Sequence, residues 1–226
     1  MKPALPVLLF LIALTFTPNV CFARPQQEST GPDPVILSAA RAMHEGRKVD
    51  AEKILSDAIR QFEKSEPNSP QLASYLEMSA GLLDQRQQRQ RSEAIALTQR
   101  ALAINEGVFG PTDQTVEYDL FDIGDLLRLQ GEIEQDTRRR DEAESTLKQA
   151  LEIARVNPMV SDLERFEVLD DLADIYRHEH RWMEAEQSLL EVKQGCTALT
   201  KNYGPCSWCQ SELENLYFEE RNAPGR

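Results

Sequence analysis

Two acidic–basic pairs are the side chains of this 226-residue chain best placed to bind another molecule. Asp125 and Arg128 form the first pair, and Asp174 and Arg177 form the second pair 49 residues further along. Residues three apart on a helix share one face, so each pair presents a carboxylate and a guanidinium together. Such a guanidinium can hold a carboxylate or backbone carbonyls of a partner. The alternative is a surface ion pair that stabilises its helix by about 0.2–0.5 kcal/mol.

Three of the four cysteines lie close together near the C-terminus, at Cys196, Cys206 and Cys209. In an oxidising compartment we expect one disulfide, and either Cys196–Cys206 or Cys196–Cys209 would pin the last helix to the unit before it. A sharper hypothesis is a dithiol oxidoreductase that uses Cys206 and Cys209, with Cys206 activated at a helix N-terminus. The sequence around them has no strand–helix pattern of a thioredoxin, which favours the structural disulfide.

Apart from the hypothesis of a Cys206–Cys209 dithiol, no spacing in the chain predicts a metal, a cofactor or a catalytic residue. His178 and His180 are two residues apart, so on a helix they point to different faces and do not share one ion. Haem attachment requires a histidine directly after the second cysteine, where this chain has Gln210. The sequence contains no Gly-rich phosphate loop and no recognisable Ser–His–Asp arrangement. We therefore expect a protein that is not an enzyme.

The charge balance points to the kind of partner. The chain carries 25 basic and 38 acidic side chains, a formal net charge of -13. Nucleic-acid binding requires a basic surface that neutralises phosphates, so DNA and RNA are not expected partners. A basic or neutral protein or peptide is favoured, chiefly through its rate of encounter.

The first 23 residues have the layout of a secretory signal. Lys2 precedes an apolar run over 5–16, and small residues follow around Cys21 and Ala23. The run is too short to span a membrane, which takes roughly 20 apolar residues, so no stable insertion is expected after cleavage. We predict export to the periplasm or the exterior, the alternative being a tether formed by an uncleaved signal. Residues 24–34 are predicted to be a flexible leader.

Regularly spaced prolines divide the rest of the chain into units. Pro34, Pro67 (or Pro70), Pro111, Pro158 and Pro205 follow one another, at intervals of 33, 44, 47 and 47 residues when Pro67 is counted. A proline suits the first turn of a helix but breaks its interior. This spacing therefore indicates a repeating unit of about one helix pair.

A second pattern falls between the prolines, where an acidic residue is followed by Ala51, Ala94, Ala143 or Ala185. A residue four positions after each alanine, and another seven after it, lies on the same helical face. A small residue at the start of that face lets a neighbouring helix approach closely. The repetition of this order favours four copies of one unit over four unrelated helices.

Each unit is therefore predicted to be a helix, a turn and a second helix within a repeat domain over 35–220, followed by a disordered tail over 221–226. The predicted helices cover 35–44, 49–62, 70–85, 91–106, 113–130, 138–155, 161–178, 182–200 and 207–220. The last helix has no partner, and a terminal helix of this kind commonly covers the apolar edge of the final repeat. The third unit has extra residues between its two helices, over 132–139, and these are expected to be helical extensions or a protruding turn.

These units resemble the tetratricopeptide repeat, and more narrowly its kinesin-light-chain-like version. Unit four is the best match, with packing residues that include Leu172, Tyr176, Trp182 and Leu189. The segment Phe109-Gly110-Pro111 resembles the link between two such repeats. The resemblance implies an all-α, right-handed superhelical solenoid of about four repeats plus a C-terminal capping helix.

The resemblance also implies a concave groove, lined by the first helix of each pair, that binds a protein or peptide segment. In this chain that groove would be acidic, with aspartates such as Asp171 where related repeats often use asparagine. The residues expected to line it are Glu77, Asp84, Asp125, Arg128, Asp170, Asp174 and Arg177. The leading hypothesis is an exported adaptor, and the alternatives are the dithiol oxidoreductase and a structural subunit of an envelope assembly.

Overall fold

The computed structural model describes residues 33–86, 90–199 and 207–223. That part of the chain contains nine helices and no strand: α1 Pro34–His44, α2 Lys48–Ser65, α3 Pro70–Arg86, α4 Arg91–Phe109, α5 Gln114–Glu134, α6 Thr137–Val156, α7 Asp162–His178, α8 Trp182–Leu199 and α9 Ser207–Asn222. None of the described helices is long and apolar enough to cross a membrane.

Local side-chain caps explain where several helices begin. The Asp33 carboxylate accepts a hydrogen bond from the Val35 amide at 2.7 Å and so caps α1. Ser161 and Glu164 form a capping box at the start of α7, in which each side chain bonds the other's backbone amide. These bonds satisfy amides that have no partner within the helix.

Each helix packs against the next one along the chain, so that four helix pairs stack in sequence order and α9 follows them. The repeated alanines lie at the centre of this packing, because Ala51, Ala94, Ala143 and Ala185 are all fully buried. Leu213 and Leu216 bury the inner face of α9 against the last pair. The predicted all-α solenoid of four helix pairs with a terminal helix is confirmed.

The extra residues of the third unit are helical extensions. The helix predicted to end at residue 130 continues to Glu134, and its partner begins at Thr137. The turn between them is only Gln135–Asp136, and Gln135 adopts the left-handed conformation with φ 54°. The corresponding turn of the second unit falls partly at 87–89, outside the described residues. At the C-terminal end, α9 continues to Asn222, two residues into the segment predicted as a tail.

Candidate functional site

Arg128 of α5 contacts four carboxyl groups and joins its helix to α7 through two of them. Its side chain is only 11% exposed. Within α5 it lies 2.6 Å from the Asp125 carboxylate and 2.9 Å from that of Glu132. Across the helix boundary its Nε lies 3.0 Å from Asp171 Oδ1, and a second nitrogen lies 3.4 Å from Asp174. The predicted Asp125–Arg128 pair therefore forms, and the same guanidinium also holds two helices together.

Arg177 repeats this arrangement one unit later, between α7 and α9. Its guanidinium lies 3.2 Å from Asp174, the acidic member of its own predicted pair. It also bonds Glu219 with two nitrogens, at 2.7 and 3.1 Å, and Glu212 at 3.2 Å. The 49-residue repetition seen in the sequence is thus a repetition of interhelical bridges.

We name the surface formed by these groups the acidic face. It comprises two arginines and seven acidic residues: Arg128, Arg177, Asp125, Glu132, Asp170, Asp171, Asp174, Glu212 and Glu219. Because two guanidinium groups face seven carboxyl groups, the acidic face holds a large excess of acid.

Burial and crowding change the ionisation of two aspartates on this face. Burial raises the pKa of Asp170 to about 6, and the charges of Asp174 and Glu212 raise it further than Arg128 and Arg177 lower it. Burial likewise raises the pKa of Asp171 to about 7, although Arg128 opposes the change. A carboxyl group whose pKa lies this close to 7 is one whose burial is not offset by enough positive charge nearby.

Glu77 lies apart from the acidic face, in a cluster shared by α3, α4 and α5. Asn105 of α4 is buried and its side-chain amide donates two hydrogen bonds, to Glu77 at 3.0 Å and to Asp119 at 2.7 Å. Asp119 is completely buried, and one of its oxygens accepts no hydrogen bond from a donor of the described residues. Burial raises the pKa of both carboxyl groups.

Glu117 is a second buried acid on α5, only 1% exposed. One of its carboxyl oxygens has no hydrogen-bond partner among the described residues. Burial raises its pKa to about 7, and the nearby charges of Glu164 and Glu167 on α7 act in the same direction.

Comparison with known proteins identifies the architecture. No family model matches the chain, and no curated protein sequence matches it. Among solved structures, "BtubC (BKLC) from P. vanneervenii" is similar with a TM-score of 0.63 and 19% identity, over 79% of this chain and 70% of that chain. The "Podosopora anserina putative kinesin light chain nearly identical TPR-like repeats" is similar with a TM-score of 0.61 and 15% identity, over 86% of this chain and all of that one. The chain has a tetratricopeptide-like repeat fold.

The first helices of the tetratricopeptide-like pairs are α1, α3, α5 and α7. The acidic face is built on α5 and α7, and α9 extends it from the position that a further first helix would take. The predicted residues Asp125, Arg128, Asp170, Asp174 and Arg177 are therefore brought together. Glu77 lies on the same series of helices but in its own cluster with Asn105.

Several predicted residues fall outside this description. The side chains of Asp84 and Cys209, and the whole of Cys206, lie outside the described residues, so the predicted disulfide and dithiol stay predictions. Cys196 is buried in α8. His178 ends α7, and among the described residues no cluster of His, Cys, Asp or Glu has the arrangement of a metal site.

Six polar side chains belong to the acidic face, to the Asn105 cluster or to the buried acids of this tetratricopeptide-like fold, and the sequence alone did not single them out. They are Asn105, Glu117, Asp119, Glu132, Glu212 and Glu219. One signal was available for Glu117. The 49-residue repeat aligns it with Phe166 of α7, a buried aromatic residue, so an acid there replaces a core side chain. The partners across helix boundaries had no comparable signal in the spacing.

Proposed function

We propose that the chain is a non-catalytic protein-interaction scaffold and that its acidic face binds a basic segment of a partner protein. The observation that carries this proposal is the excess of seven carboxyl groups over two guanidinium groups on one continuous surface. Lysine or arginine side chains of a partner supply the positive charge that this surface lacks.

The state of the two arginines supports a basic partner more than an acidic one. Arg128 and Arg177 both bond carboxylates of their own chain, and their side chains are only 11% and 19% exposed. A partner carboxylate would have to displace these bonds. In contrast, Asp125 and Asp174 are about one third exposed, at 34% and 35%, so a cation from solvent can reach them. Desolvated carboxyl groups gain most from such a cation.

The test measures how the full-length protein binds peptides of defined charge. A fluorescent peptide of alternating lysine and glycine is titrated with the protein, in parallel with the glutamate–glycine analogue. We expect binding of the lysine peptide only, with an affinity that falls as salt is added, because exposed charges are screened. Equal binding of both peptides would remove the basis for a basic partner.

A pair of matched variants locates the binding. Replacing Asp125 and Asp174 by asparagine removes two charges from the acidic face, and we expect the lysine peptide to bind roughly tenfold more weakly. The control replaces Asp57 by asparagine and Glu63 by glutamine, which removes two charges of similar exposure from α2. Equal losses in both variants would mean that only net charge matters, and that the acidic face is not the site.

We further propose that the scaffold acts after export, on the basis of the signal-like residues 1–23. Expression in a bacterial host followed by N-terminal sequencing of the exported protein tests this. A mature N-terminus near residue 24 supports export, whereas an intact N-terminus on a protein retained in the cytosol contradicts it. Affinity capture from an envelope extract, with and without the Asp125 and Asp174 replacements, then distinguishes a partner on the acidic face from an assembly contact on the outer surface.

A further inference from the structure

The cluster of Glu77, Asn105 and Asp119 joins three helices with a single neutral donor between two acids. The Asn105 amide has two N–H groups, and both are used, one on each carboxyl group. The two carboxyl groups are neighbours, because an oxygen of each lies against the same nitrogen, Asn105 Nδ2. Two carboxylates at this distance cannot both be ionised without strong repulsion, whereas one proton between them turns the repulsion into a hydrogen bond.

Among the described residues, the groups that face the cluster are acidic or neutral. Among the described residues, no lysine or arginine forms an ion pair with Glu77 or Asp119. The groups that face Asp119 are Glu77 from α3, the neutral Asn105 from α4, and Asp122 from α5 itself. Tyr118 of α5 is next to the same acids and also faces Glu167 of α7, and these charges raise its pKa. A proton is therefore the simplest positive charge that the site can take up.

We propose that Glu77, Asn105 and Asp119 form a proton lock, in which one proton is held between the two carboxyl groups and its loss weakens the packing of α5 against α3 and α4. The unsatisfied Asp119 oxygen fits this assignment, because it is the atom that a proton on the pair would engage. Asp119 is completely buried and Asn105 nearly so, which leaves water little access to these two side chains, whereas Glu77 is half-buried.

The lock operates near neutral pH. Burial raises the pKa of Asp119 to about 7; the Asn105 hydrogen bond opposes this change, and the charges of Glu77 and Asp122 reinforce it. Below that pH the site is protonated, and the three helices are joined by the two Asn105 hydrogen bonds and by the hydrogen bond between the two carboxyl groups. Above it, a second negative charge appears in a buried space, and α5 is repelled from α3. The proposal concerns the fold itself and does not depend on the acidic face having a partner.

Carboxyl-carbon NMR of the protein labelled at Asp and Glu tests the shared proton directly. We expect one signal, assigned to Asp119 by its absence in Asp119→Asn, to titrate near pH 7. In Glu77→Gln the same signal is expected to titrate at clearly lower pH, because Asp119 then has no acidic neighbour across the helix boundary and two amides can donate to it. An unchanged Asp119 midpoint in Glu77→Gln overturns the shared proton, since burial alone would then explain the titration.

Urea unfolding tests the effect on packing. The unfolding midpoint of the unaltered protein is expected to fall between about pH 4 and pH 7, because the folded site keeps a proton that the unfolded chain loses, and to level off above that. Asp119→Asn, which mimics the protonated pair, is expected to reduce that fall. Glu93→Gln, an exposed residue of α4, serves as the matched control and should keep the full fall. If Asp119→Asn and Glu93→Gln show the same pH dependence as the unaltered protein, the lock is wrong. Should Asp119→Asn not fold, Glu77→Gln replaces it in the same comparison.

Discussion

The guanidinium of Arg177 on α7 forms a two-pronged ion pair with the carboxylate of Glu219 on α9, with distances of 2.7 and 3.1 Å. This pair is a polar link between the terminal helix and the four helix pairs, and Leu213 and Leu216 add apolar contact. It also raises the Arg177 pKa and lowers the Glu219 pKa, as expected for charges that stabilise each other. The acidic face therefore depends on α9 for part of its structure as well as for two of its carboxylates.

Replacing Arg177 by methionine should loosen α9. Three carboxyl groups lose their shared cation, and because the pair is partly open to solvent we expect a cost of only about 1–2 kcal/mol in unfolding free energy. Hydrogen exchange should report the largest increase in the amides of α9. Arg155→Met is the matched control, since it breaks an ion pair with Glu191 that joins two helices at greater exposure. If both variants destabilise the protein equally and neither affects α9, the link assigned to Arg177 is wrong.

Arg128→Met should cost more, because this guanidinium is more deeply buried and serves four carboxyl groups. Removing one partner of a buried charge network typically costs about 3–5 kcal/mol, and the remaining solvent access should place this case at the lower end. The loss is expected to be smaller at pH 5 than at pH 8, because Asp171 can then take up a proton. Unfolding by urea at both pH values measures it.

Arg100→Met provides the comparison for Arg128. Arg100 pairs with Glu63 across α4 and α2, and its side chain is 50% exposed. An exposed pair of this kind contributes about 0–1 kcal/mol, so its removal should change little and show no marked dependence on pH. A large pH-independent loss in Arg128→Met would point to lost packing of the long side chain instead of lost charge.

The pH dependence of Glu117 can be predicted with its sign. Its pKa in the folded protein is raised to about 7, whereas an unfolded glutamate has a pKa of about 4.3. Between those values the folded protein keeps a proton that the unfolded chain loses, so stability falls as the pH rises and levels off above about 7. Glu117→Gln removes this contribution, and its urea midpoint should vary less between pH 5 and pH 8 than that of the unaltered protein. Glu93→Gln should vary as much as the unaltered protein, and a similar flattening in it would contradict the assignment.

The repeat architecture could be predicted because it depends on spacing. A proline breaks the interior of a helix, and Pro67, Pro111 and Pro158 lie in the turns between helix pairs. Small residues at a fixed helical position permit close packing. Ala51 and Ala143, chosen from that pattern alone, are completely buried. Helix ends were less accurate: the helix predicted to end at residue 106 continues to Phe109, because nothing before Gly110 stops it.

The polar clusters could be predicted only in part. Asp125 and Arg128 were recognised because their partners lie three residues away on one helix, which spacing reveals. The contact of Asn105 with Glu77 and Asp119 joins three helices at separations of 28 and 14 residues, and no periodicity encodes it. Such contacts depend on how far each helix pair is rotated relative to the next pair. That rotation is determined by the packing of all the helix pairs together.

Gly124 provides a test of that packing at one atom. It lies on α5 directly against Leu147 of α6, where an added Cβ would be 2.6 Å from two carbons of the leucine. Leu147 is itself fully buried, so it has little room to move, and overpacking of this kind costs about 1–3 kcal/mol. Gly124→Ala should therefore destabilise the protein in thermal or urea unfolding, even though alanine favours a helix more than glycine does.

Gly107→Ala is the matched control, because an added Cβ at this position of α4 has no atom within 4 Å. Only the helix propensity then changes, and we expect a gain of up to about 1 kcal/mol. The same substitution is thus expected to lower the stability of the protein at Gly124 and to raise it at Gly107. A gain in stability at both positions would mean that α5 and α6 are packed less closely than Gly124 and Leu147 indicate. The interhelical bridges of Arg128 would then need to be reconsidered, because they depend on the same placement of α5.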